Sequence, residues 1–133
     1  MLRFFLVFAS YFSRPDELPQ CVQYWQRELG LEDWKITTQV VGRQELQSGT
    51  IGDIEPDIQT KTAAMRILRE SDSDLHGRLA RAEQRNTIAH EMVHLLNYAK
   101  GNPNWRTEGA TNMQTARLIV KHRRWFEMLA LEQ

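Results

Sequence analysis

The chain has 133 residues and a mass of 15.6 kDa, enough for one domain with a modest core. Its 17 basic and 17 acidic residues cancel, which argues against nucleic-acid binding driven by bulk charge. The lone cysteine, Cys21, excludes an internal disulfide and a cysteine-based zinc cluster, and it suits the reducing cytoplasm.

Residues 1–12, MLRFFLVFASYF, form an apolar run that resembles the start of a secretory signal. No small-x-small cleavage site follows, and the run is too short to span a bilayer as a helix. It reads as an element added to the core or as translation from an upstream start, with a targeting role left open. Residues 13–133 read as a single domain, with no membrane partner expected. Ser13 followed by Arg-Pro-Asp-Glu has the form of a helix start, and Leu18, Val22, Trp25 and Leu29 then recur at helical spacing up to a stop at Gly30.

Next, WKITTQVV alternates as a strand with one wet face. Residues 44–49 are a polar connection, residues 50–55 a second and weaker strand, and Pro56-Asp57 a turn. Residues 61–69, KTAAMRILR, are a third strand whose alternation is imperfect. Its Lys and Arg residues fit a sheet edge, which could pair with an extended peptide. Possible caps at Asp72–Asp74 precede a long helix over about residues 75–100, ended by Gly101-Asn102-Pro103. A last helix covers about residues 106–131. Strands and helices are segregated along the chain, so the fold class is α+β: an N-terminal helix, a small three-stranded sheet and two long helices.

The first long helix carries His90-Glu91-Met92-Val93-His94, a match to H-E-x-x-H. At about 100° per residue, His90 and His94 lie about 40° apart and one turn above each other, so both imidazoles can reach one zinc ion. Glu91 is offset by about 100°, placed to hold a water rather than the metal. With His90 at zero, Ile88, Ala89, Met92, Val93, Leu95, Leu96 and Ala99 fall at about 140° to 300°, a contiguous apolar arc opposite the histidines. Glu83, Thr87 and Tyr98 share the histidine side.

A catalytic zinc usually takes three protein ligands. Glu108, a short loop later and near the start of the next helix, is the best third donor, and His122 is its rival. The two are about 20 Å apart along the helix and cannot bind the same ion, so His122 fits a buried structural role better. Glu108, Asn112, Thr115, Ile119, His122 and Phe126 share one helix face. Asn112 could hydrogen-bond a ligand histidine. For the oxyanion of an amide hydrolysis, Tyr98 is the first candidate donor and Arg106 another.

With His90-Glu91-x-x-His94 and Glu108-x-x-x-Asn112 in place, the chain resembles the gluzincin branch of zinc metallopeptidases. It is most similar to the minimal phage- and bacterial-type metallopeptidases that carry little beyond the catalytic core. The resemblance spans most of residues 13–131. It implies a zincin-like fold, zinc held by His90, His94 and Glu108, Glu91 as general base, and a peptide or protein substrate. Asn112 stands where many gluzincins carry Asp. The interval from His94 to Glu108 is close to that of SprT-like proteases, which use His as third ligand. Two other readings stand beside this one: a zinc-stabilised binding or regulatory module without turnover, and an SprT-like protease. The absence of a zinc ribbon or strongly basic tail weighs against the second.

Overall fold

The computed structural model describes residues 7–125, and for residues 7–16 the backbone alone. Helices and a three-stranded sheet make a mixed α+β fold, with these elements among the described residues: α1 (Val7–Leu29), β1 (Lys35–Val41), β2 (Gly52–Asp57), β3 (Thr62–Leu68), α2 (Arg78–Ala99) and α3 (Glu108–Lys121). Single turns of 3-10 helix follow β1 and β3. Among the described residues, no helix is long and apolar enough to cross a membrane.

Helix α1 begins at Val7, so Ser13 and Pro15 lie inside it rather than at its start. The apolar run is thus partly the first turns of the helix, and residues 1–6 lie outside the described residues. At the other end Gly30 terminates the helix with φ +70, a conformation that glycine adopts without steric cost. Val22 and Trp25 are buried from the expected stripe, and Leu18 and Leu29 pack partly against the same core.

The sheet order is β1-β3-β2. Strand β3 pairs parallel with β1 (Lys35 opposite Thr62) and antiparallel with β2 (Gly52 opposite Ile67). It is therefore the central strand, not the edge that its basic ends suggested. Ala63, Met65, Ile67 and Leu68 are all buried, which is why its alternation is imperfect. Pro56 and Asp57 also depart from expectation: they are the last residues of β2 rather than a turn. The Leu68 N–H donates to the Ile51 carbonyl, which fixes the alternation of the antiparallel ladder. By that alternation Gly52, Ile54 and Pro56 turn their peptide groups away from β3. Pro56, with no N–H to offer, is thus tolerated on an edge strand.

Helix α2 crosses the sheet with its apolar arc inward: Ile88, Ala89, Met92, Val93 and Leu95 are buried, with Leu96 and Ala99 partly so. Trp25, Trp34, Ile54, Met65 and Ile67 complete one core between α1, α2 and the sheet. Helix α3 ends at His122 instead of continuing as one helix. Tyr24 and His122 share a hydrogen bond at 2.5 Å, and Trp125 stacks on Tyr24 with ring centroids 4.0 Å apart. His122 is thus held in the structural role expected of it, while Phe126 lies outside the described residues.

Candidate metal centre

Burial of the apolar arc of α2 leaves His90 and His94 on its opposite side, facing the start of α3. The two rings stand 4.8 Å apart, almost perpendicular. Glu108, the first residue of α3, reaches both. Its Oε1 lies 2.8 Å from His90 Nε2 and its Oε2 3.2 Å from His94 Nε2. All three donor groups fall within 4.8 Å of one another. Ligands held at about 2.1 Å around a tetrahedral ion stand about 3.4 Å apart, so small side-chain rotations bring this set onto one cation.

The tautomer of His94 follows from its partner. Nδ1 lies 2.6 Å from the Trp105 carbonyl, which can only accept, so Nδ1 carries the proton and Nε2 keeps its lone pair for a metal. Thr111 Oγ1 stands 3.4 Å from the same nitrogen. Burial lowers the His90 pKa, with His94 acting in the same sense and Glu108 against it, so the imidazole favours the neutral form that ligates metals.

Glu91 is buried beside the histidines. Burial, and then the charges of Glu108 and Asp53, push its pKa up to about 8, while Arg106 pulls it down. A carboxyl desolvated among other acids holds its proton more tightly, and a cation bound nearby would favour its ionised form.

His90, Glu91 and Glu108, though not His94, open onto a cavity of about 750 Å³ between α2, α3 and the chain entering β2. His90, Glu91, Glu108 and Asn112 all line it. Asn112 is exposed on its wall, and the Trp105 carbonyl occupies the histidine-orienting position considered for it. Tyr98 does not line the cavity. Its hydroxyl accepts a hydrogen bond from the Ile58 N–H at 2.9 Å, and its ring meets Trp34 and Trp105 edge-on. Tyr98 therefore anchors the turn between β2 and β3. Arg106 lies over the Trp105 ring at 4.1 Å and donates to Glu55 at 3.0 Å, tying the loop before α3 to β2.

Sequence reasoning missed the Trp105 carbonyl, because a backbone acceptor leaves no mark in residue type. It also missed Gly52, although an isolated glycine within a strand pattern signals a close approach. Comparisons with known protein families, curated proteins and solved structures gave no match.

Proposed function

We propose that the chain is a zinc-dependent peptidase of the gluzincin type. The observation that carries this reading is the convergence of two Nε2 atoms and the Glu108 carboxylate beside the buried Glu91. A His₂Glu donor set suits zinc, and such sites keep a position open for water. Bound zinc would polarise the scissile carbonyl and acidify a water.

The protein's own groups do the rest. Glu91 accepts a proton from the attacking water and returns it to the departing amine nitrogen. The Trp105 carbonyl holds His94 in its ligating tautomer. The outward peptide groups of Gly52 and Ile54 offer an extended substrate the hydrogen bonds of an added strand. That role passes to β2 because β3 is central.

Elemental analysis of protein purified without added metal or chelator tests the site. About one zinc per wild-type chain and clear loss in Glu108→Ala are expected. Glu91→Gln should keep its zinc and lose about 10²-fold or more of peptide hydrolysis on a mixed peptide library. Zinc binding without any wild-type turnover would make the chain a zinc-stabilised binding module instead. No zinc in wild type after reconstitution would remove the enzyme reading altogether.

A further inference from the structure

The cavity is longer than the chemistry at its metal end requires. Its wall on α2 is the stripe Leu79, Glu83, Asn86 and His90, and α3 adds Glu108, Asn112, Thr115 and Ile119. The His90–Glu108 contact fixes one end of this groove. Leu79 precedes His90 by eleven positions, so at 1.5 Å per residue the far end lies about 16 Å away along the helix.

The lining changes character over that length. Thr87 and Asn112 stand by the chemical part, whereas Leu75 and Leu79 form the far end, with Ile51 from the chain entering β2. Three of these stand open to solvent: Leu79 is 64% exposed, Leu75 39% and Ile51 37%. Among the described residues, no Lys or Arg lines the cavity. Glu83, the lining acid one turn from Leu79, already accepts a hydrogen bond from Ser73 Oγ at 2.7 Å. A cluster of uncovered aliphatic side chains continuous with a reaction centre marks a site for an apolar group.

We infer that the far end of the groove is an anchoring subsite for a large aliphatic or aromatic side chain of the substrate, remote from the bond that is cleaved. It rests on the peptidase reading and adds a substrate class to it. An extended peptide advances about 3.3 Å per residue, so a span of about 16 Å separates anchor and scissile bond by four or five residues. Selectivity then comes from a distant apolar residue in the substrate as well as from residues flanking the cleaved bond. Unstructured protein segments that carry Leu, Ile, Met or Phe at that distance are the substrates the groove fits.

Hydroxamate-capped alanine-rich peptides, with a single Leu moved along the chain, measure this directly. The hydroxamate ligates zinc and fixes one end of the probe, and each polarity is made as a separate series. Binding is read by competition on zinc-loaded Glu91→Gln protein, so turnover does not enter. Affinity should peak by about tenfold with Leu four or five residues from the hydroxamate in one of the series. The peak should vanish in Leu79→Asp, an exposed position where folding and zinc content are expected to be unaffected. Affinity that is independent of Leu position, or highest with Leu beside the hydroxamate, would overturn the inference. So would a stronger peak for Lys scanned in place of Leu. Probes that bind no better than their carboxamide twins would overturn the metal-site reading itself, a different failure from a flat Leu scan.

Discussion

A Cβ built on Gly52 would stand 2.5 Å from Thr87 Cγ2 and 3.0 Å from the Arg66 carbonyl oxygen. The first distance is shorter than real Cβ contacts and the second is tight, so the strand lies this close to α2 without a shift only while the residue is glycine. Gly52→Val should push β2 off α2 and lower stability by about 1–3 kcal/mol. It should also reduce peptide hydrolysis while zinc stays bound, because no ligand lies on β2. Unchanged hydrolysis and an unchanged urea midpoint would show that the close approach has no role. Cys21 makes a second point at this scale. It is fully buried, and burial pushes its thiol up to about 12, with Arg85 pulling down and Glu17 pushing up. An unfolded thiol ionises near pH 9 while the folded one stays protonated, so above that pH the native state binds more protons. Stability must then fall with rising pH, by about 1.4 kcal/mol per unit, a slope that begins near pH 9 and ends as the folded pKa is reached. Urea titrations between pH 8 and 10 would measure it, and Cys21→Ala should remove that part of the slope. The histidines and Glu91 could be read from residue type because helical spacing is a local rule. The orientation of His94 could not, since its partner is the main chain of Trp105.

Between elements, α1 and α2 are joined inside the core by Arg85, whose Nη1 donates to Glu17 Oε2 at 3.0 Å. The two side chains are only 5% and 11% exposed. Removing one partner takes the Arg85 charge away from a carboxylate that burial has desolvated, so Arg85→Met should cost about 3–5 kcal/mol. The double variant Glu17→Leu, Arg85→Met should recover much of that loss, because two well-packed apolar groups replace the pair without a stranded charge. A urea double-mutant cycle separates this from simple loss of packing: equal losses in single and double variants would reject the pairing. The sheet shows where local reading stops. Its three strands were recognisable from β-branched alternation, but their order depends on pairings between distant residues. A central strand bearing Arg66 looks like an edge until Asp53 on β2 is seen to hold that guanidinium at 3.0 Å. Pro56 misled for a related reason: proline breaks a ladder only where its missing N–H is needed, and here that position faces outward.

For the molecule as a whole, α3 is the helix with the fewest buried side chains among the described residues. Only Thr111 and Thr115 are buried along it, with Leu118 and Ile119 partly covered. Its first residue is Glu108, and His90 and His94 belong to α2, so a cation held by all three ties α3 to the core. Ligand binding to the native state alone stabilises it by about 2.7 kcal/mol when free metal is a hundred times the dissociation constant. For a domain of this length each kcal/mol shifts the melting temperature by about 3–4 °C, so zinc should raise Tm by about 10 °C over chelated protein. Glu108→Ala should show little of that gain and His122→Ala nearly all of it, because His122 pairs with Tyr24 away from the ligands. The gain should also shrink as pH falls through the lowered range in which His90 takes up a proton, since only its neutral imidazole binds metal. Scanning calorimetry with zinc and with chelator, at pH 7.5 and 5.5, measures both effects. Equal melting temperatures with and without zinc at pH 7.5 would mean that α3 is fixed by packing alone and that the three donors do not close on an ion.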